Sequence, residues 1–184
     1  VNSLYPMLII MYNISPEKLF TAKHMMKYGV DEIVAGAFTN DAEIQKHLAD
    51  NKCIAGNGVI YNRDGMGFLP ALMDEFYQGR VVYKKKMITA KQNKEAAKTE
   101  EEKKKYEKEA VQMHNIQLAL KIILNSAYGS LSNVYFRYFD VKLAESVTVS
   151  GQMALKWVEK DMNEYLNKVL NTTGVDYIIA IDTD

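Results

Sequence analysis

Apolar positions in this chain change their spacing several times, and each change predicts a different element. From Val1 to Tyr12 they run almost unbroken apart from Pro6, the pattern of a β-capable segment, strand or loop. Ser15-Pro16-Glu17 then supplies a capping residue and an N1 proline for a short helix. Asn40-Asp41 offers a cap for a helix over Ala42 to Leu48. Asn62-Arg63-Asp64-Gly65, set between Val59-Ile60-Tyr61 and Met66-Gly67-Phe68, has the residue chemistry of a tight β-hairpin. From Pro70 the spacing becomes helical, with Leu72, Met73, Phe76 and Tyr77 as a stripe. Ala96 to Lys108 is nearly all Ala, Lys and Glu, a solvated helix or hairpin tip. A second helix follows from Tyr106 to about Asn125, its buried face carrying Val111, Ile116, Ala119, Leu120, Ile123 and Leu124. A third runs from about Ala144 to Leu170, and Gly174 breaks it before a final strand, Tyr177 to Ile181. The expected fold class is α+β: a mixed core with a long antiparallel helical pair, Pro70 to Asn125, inserted in it.

Composition narrows the partners. The 184 residues are 48% hydrophobic and 25% charged, enough for one good core or two small lobes. No apolar stretch approaches the ~20 residues of a membrane span. The single Cys53 excludes an internal disulfide and a cysteine-rich zinc site, and His24, His47 and His114 lack metal-ligand spacing. Twenty-three basic residues cancel twenty-three acidic ones, so any affinity for a polyanion must come from local clustering.

Such clustering exists. Arg80 to Lys94 holds six basic residues and no acid, with Arg80 and Lys84 on one helical face. This is either an anion-binding stripe or a solvated basic face. On the second helix Lys121, Asn125 and Tyr128 share a face if the helix reaches that far, and polar groups in register on an apolar helix need partners. Arg80, Lys84 and Lys121 facing one polyphosphate, with the Tyr128 ring against a base, would meet that need. At the far end, Asp182 and Asp184 stand two apart after an apolar run, so in a strand both carboxylates point one way. They read as hard oxygen ligands for Mg²⁺ or as an ordinary Asp turn.

Lys121-Ile122-Ile123-Leu124-Asn125-Ser126-Ala127-Tyr128-Gly129 resembles motif B of the family B DNA polymerases. Ser3-Leu4-Tyr5-Pro6 resembles the end of their motif A, and Asp182-Thr183-Asp184 their motif C, in the family's order. Tyr12 to Glu17, Asn133 to Asp140 and Gly151 to Leu155 are further similar to the T-even-like bacteriophage replicative members. The resemblance implies a palm in two parts, residues 1–68 and 130–184, around a fingers hairpin, 69–129. It implies nucleotidyl transfer from a deoxynucleoside triphosphate to a primer 3′ hydroxyl on primer-template DNA, with two Mg²⁺ ions. Asp182, Asp184 and the Val1 backbone carbonyl would face the metals. Ser3, Leu4 and Tyr5 would meet the phosphates and sugar, Tyr5 leaving no room for a 2′ hydroxyl. Arg80, Lys84 and Lys121 would hold the triphosphate, and Asn125 and Tyr128 would wall the base-pair pocket.

The resemblance also implies exonuclease and thumb domains elsewhere in a longer chain, admits a sliding clamp, and places a phage enzyme in the host cytoplasm. The motif A aspartate belongs immediately before Val1, so the expectation is an interior piece that does not polymerise alone. Ala180-Ile181 departs from the aromatic-glycine pair common before motif C. Competing readings are a noncatalytic nucleic-acid-binding module gripping phosphate through Arg80 to Lys94, and a degenerate polymerase relative.

Overall fold

A computed structural model describes residues 3–21 and 28–181. The opening apolar run is a helix, α1 (Leu4–Met11), where the sequence suggested strand or loop. A short unbroken apolar run suits a strand or a helix buried on all sides, and the surroundings decide. Here the later long helices pack around α1, burying Leu8 and Ile9. Pro6 sits in the first turn, where a missing N–H costs nothing. Asn13, with φ 55°, ends the helix: Ile14 N–H returns to the Ile9 carbonyl and Asn13 N–H to that of Ile10, the paired bonds of a left-handed C-cap.

After a 3₁₀ turn at Pro16–Lys18 come β1 (Leu19–Thr21), α2 (Val30–Val34), a second 3₁₀ turn and α3 (Ala42–Ala49). Asp41 caps α3 as expected, accepting from the amides of Glu43 and Ile44. The strands β2 (Lys52–Ile54) and β3 (Ile60–Asn62) complete an antiparallel sheet in the order β1–β3–β2. Cys53 pairs with Tyr61 and Ile54 with Ile60. The hairpin turn is therefore Ala55 to Val59, through Gly56-Asn57-Gly58, and not the expected Asn62 to Gly65. That latter segment is engaged elsewhere: Asn13 Nδ2 donates to the carbonyls of Asn62 and Gly65 at 2.7 and 2.9 Å, and Lys18 pairs with Asp64.

Three long helices follow: α4 (Phe68–Ala96), α5 (Glu100–Leu131) and α6 (Val141–Leu170). The first two pair antiparallel as predicted. A Cβ on Gly79 would stand 3.5 Å from Leu120, and nearer the tip Lys94 bonds Glu107 at 2.8 Å. Val111, Ala119 and Ile123, expected on the buried face of α5, are exposed, because α4 covers one side of the helix. The helix α5 opens on a capping box, Thr99 with Glu102, and runs past Asn125 to Leu131. Asp140 caps α6 through Lys142 N–H.

One polar network fastens α6 to the β2–β3 turn. Ser146 Oγ reaches Tyr61 Oη at 2.8 Å and Asn57 Oδ1 at 3.0 Å, and Gly56 N–H donates to Ser150 Oγ at 2.8 Å. Burial pushes the Tyr61 phenol up from its ordinary value and the Cys53 thiol up to about 11, so both are neutral packing groups. The core joins Ile9, Ile14, Val59, Tyr61, Met73, Leu124, Leu131, Leu143 and Val147, drawing on α1, the sheet and all three long helices.

Beyond Asn171 the expected final strand is not formed: the described residues to Ile181 carry no regular structure. A strand must place its backbone groups on a neighbour, and none of the described strands lies beside this segment. Asn163 and Asn167 hold it instead, through Asp176, Tyr177 and Val175. No helix among the described residues is long and apolar enough to cross a membrane.

Candidate functional site

The N-terminus of α1 is where the separated sequence signals meet. Its helical bonds start with Met7 N–H to the Ser3 carbonyl at 3.1 Å, so the first-turn amides of Leu4 and Tyr5 have no acceptor within the helix. Such an end carries partial positive charge and is suited to anions. Ser3 enters it with φ 68°, a left-handed conformation that turns the chain sharply into the helix.

Arg80 on α4 reaches this end. Its Nη1 donates to Ser3 Oγ at 3.0 Å, while its buried Nε has no hydrogen-bond partner among the described residues. A buried guanidinium nitrogen left unpaired is costly, and an anion would satisfy it. Below Ser3, the Tyr5 ring tilts against Tyr128 of α5, with centroids 4.9 Å apart. Its other side lies on the α6 backbone: a Cβ on Gly151 would stand 3.1 Å from Tyr5 Cε1. The α1 N-terminus, side chains of α4 and α5 and the α6 backbone at Gly151 thus converge on one place.

The structure brings together Ser3, Leu4, Tyr5, Arg80 and Tyr128 from the predicted set. Of the others, only Lys84 stands farther along the hairpin. Between the Gly79–Leu120 contact and the Lys94–Glu107 bond the helices run antiparallel, which puts Lys121 at the level of Arg80. Lys121 is half-buried there, Lys84 is exposed one turn nearer the tip, and Asn125 is exposed between Lys121 and Tyr128. Arg80 and Lys84 also line a groove on α4 with Tyr77, Val81, Lys85 and Ile88. Val1, Asp182 and Asp184 lie outside the described residues. Among the described residues no group of three His, Cys, Asp or Glu side chains is placed to hold a metal ion. Gly151 escaped the sequence reading as a site residue. Its signal was a lone glycine inside a strongly periodic helix, which marks close approach.

Comparison with known proteins bears on the same residues. The chain is 31% identical to the DNA-directed DNA polymerase of Enterobacteria phage T4 and 30% identical to that of Escherichia phage RB69. Each match covers 100% of this chain and 24% of the phage protein. It is 32% identical, over 85% of its length, to the DNA polymerase beta of an African swine fever virus isolate, covering 13% of that protein. The chain thus spans about a quarter of the length of the phage relatives it matches. A model of DNA polymerase family B matches residues 1–180, which takes in the α1 N-terminus and the whole α4–α5 hairpin. This chain therefore belongs to DNA polymerase family B.

Proposed function

We propose that this chain is the palm and fingers portion of a DNA-directed DNA polymerase that adds deoxynucleotides to a primer 3′ hydroxyl, the activity residing in a longer polypeptide. The observation that carries the proposal is the meeting of the α1 N-terminus with Arg80, Tyr5 and Tyr128, on a chain of this family. In this reading residues 1–68 and 130–184 are palm, and 69–129 are fingers. The exonuclease and thumb domains lie elsewhere in the same polypeptide, a sliding clamp is a further partner, and the enzyme works in the cytoplasm of an infected host. These 184 residues alone do not polymerise.

The triphosphate lies against the first-turn amides of α1, with Arg80, Lys84 and Lys121 supplying positive charge from the hairpin. Arg80 Nε, which has no partner among the described residues, supports that placement, because a phosphate oxygen would complete its hydrogen bonding. Tyr5 lies under the deoxyribose, and Asn125 and Tyr128 form the wall beside the nascent base pair. Asp182 and Asp184, with the Val1 carbonyl, are hard oxygen donors of the kind Mg²⁺ accepts. The two ions they would hold supply activation of the primer hydroxyl and neutralisation of phosphate charge. The chain's own groups hold the nucleotide, orient its sugar and exclude water around the phosphates.

The sugar assignment has a direct test. Tyr5 has little freedom to yield, wedged between Tyr128 and the α6 backbone at Gly151. In the polymerase, Tyr5→Ala is expected to reduce discrimination between deoxyribo- and ribonucleotides by on the order of a hundredfold, about 2.7 kcal/mol. The measurement is the ratio of kcat/KM for the two triphosphates on one primer-template. An unchanged ratio removes Tyr5 from beneath the sugar.

A further inference from the structure

We infer that Asn13, Ser15 and Glu17 form an external cap on α4 that fixes the tilt of the hairpin and so positions Arg80 for the nucleotide; the inference rests on the polymerase reading above. The helix α4 has 29 residues, yet its own N-cap is Gly67, without a side chain, and its first turn holds no acid. Its opening N–H groups nevertheless have acceptors. Gly67 N–H donates to Asn13 Oδ1 at 2.8 Å, Phe68 N–H to Glu17 Oε1 at 2.6 Å and Leu69 N–H to Ser15 Oγ at 3.4 Å. Pro70 has no N–H, and Ala71 N–H bonds the Gly67 carbonyl at 3.0 Å. Every N–H at the start of α4 is thus accounted for, three of them by a segment about fifty residues upstream.

The cap is itself held in place. Ser15 Oγ donates to the other carboxylate oxygen of Glu17 at 2.6 Å, and Ser15 is fully buried. Burial pulls the Glu17 pKa upward, but the hydrogen bonds from Ser15 and Phe68 outweigh it and leave it lowered. A carboxylate at a helix N-terminus also complements the helix dipole. Contact at Gly67 is close: a Cβ there would fall 2.6 Å from Ser15 Cβ.

Position turns this cap into a control on the site. Asn13 ends α1 as well as receiving α4, and the two helices meet again where Ser3 accepts from Arg80. The α1 and α4 helices are therefore joined at both ends of α1, with Tyr5 and Arg80 on the joined pieces. Arg80 stands roughly 18 Å along α4 from the cap at 1.5 Å per residue, so a tilt of about 5° there displaces it by about 1.5 Å. Displacements of that size are enough to impair a positioned reaction.

The test is steady-state nucleotide incorporation by the polymerase that carries this segment, at saturating primer-template. Glu17→Ala, which removes the acceptor, is expected to raise KM for the deoxynucleotide about tenfold, with kcat and primer-template affinity within about threefold. Glu17→Gln keeps an acceptor oxygen at the same reach and is expected to stay within about threefold of wild type in KM. Glu17→Asp keeps the charge but shortens the reach, and is expected to raise KM as Glu17→Ala does, giving the same readout if the alanine variant fails to fold. A lowered melting temperature with unchanged KM in both Glu17→Ala and Glu17→Asp overturns the inference, as does a Glu17→Gln enzyme as impaired as Glu17→Ala. Arg80→Ala is run alongside: if it too leaves KM unchanged, the nucleotide-binding role of Arg80 has failed, whereas a raised KM for Arg80→Ala alone rejects only the cap.

Discussion

Lys121→Ala in the polymerase lowers kcat/KM for deoxynucleotide incorporation by about 10²–10³, while primer-template affinity stays within about twofold. The expectation follows from where the side chain stands. Lys121 is half-buried at the level of Arg80, on a helix that packs against α4 with Gly79 beneath Leu120. On the proposed reading, a cation in that position would act on a triphosphate held at the α1 N-terminus, with its attraction strengthened where water is excluded. Exposed lysines such as Lys85 and Lys86 sit in a high-dielectric surface, where each contributes little to a specific step. Pre-steady-state incorporation and an equilibrium DNA-binding titration separate the two quantities. A noncatalytic nucleic-acid-binding module predicts the reverse, with DNA affinity falling and no incorporation to lose.

Gly56→Ala destabilises the fold by about 3 kcal/mol, lowering the melting temperature of this segment by roughly 6–12 °C. An added Cβ would lie 2.6 Å from Ser150 N and 2.7 Å from the Val149 carbonyl carbon, atoms of a helical backbone that cannot rotate aside. Relief requires the β2–β3 turn to leave α6, breaking the Gly56–Ser150 bond and exposing the network around Ser146. Ser150→Ala, which removes one hydrogen bond without a clash, costs about 1 kcal/mol. Thermal or urea unfolding checks the order of the two; equal effects would mean that the close approach is not what requires glycine.

The long helices were legible because their signals are redundant. The stripe from Leu72 to Tyr77 and the Lys/Glu-rich tip each pointed to the same hairpin. The alignment of Lys121, Asn125 and Tyr128 along it followed as well, since helical spacing alone sets that alignment once α5 runs to Leu131. What failed was decided by tertiary neighbours. The opening run could be strand or helix until α4, α5 and α6 were placed around it. Two segments had turn chemistry, Gly56-Asn57-Gly58 and Asn62-Arg63-Asp64-Gly65, and only the bonds from Asn13 reveal that the second is stapled to α1. Ser15-Pro16-Glu17 has the local chemistry of a short helix start, which it is, but it also caps α4 from a distance. No local pattern encodes that. The Ser3–Arg80 bond was likewise invisible, joining residues far apart in sequence through a fold not yet known.

On the proposed reading, this segment carries the chemistry of DNA synthesis. The most direct measurement is primer extension by the full polypeptide containing it, wild type beside Asp182→Asn, with primer-template affinity measured in parallel. The account predicts template-directed deoxynucleotide addition that depends on a divalent cation and falls by about 10³ or more in Asp182→Asn, with DNA affinity retained. Wild-type rates in Asp182→Asn, or tight DNA binding by a wild-type protein that adds no nucleotide, would contradict it.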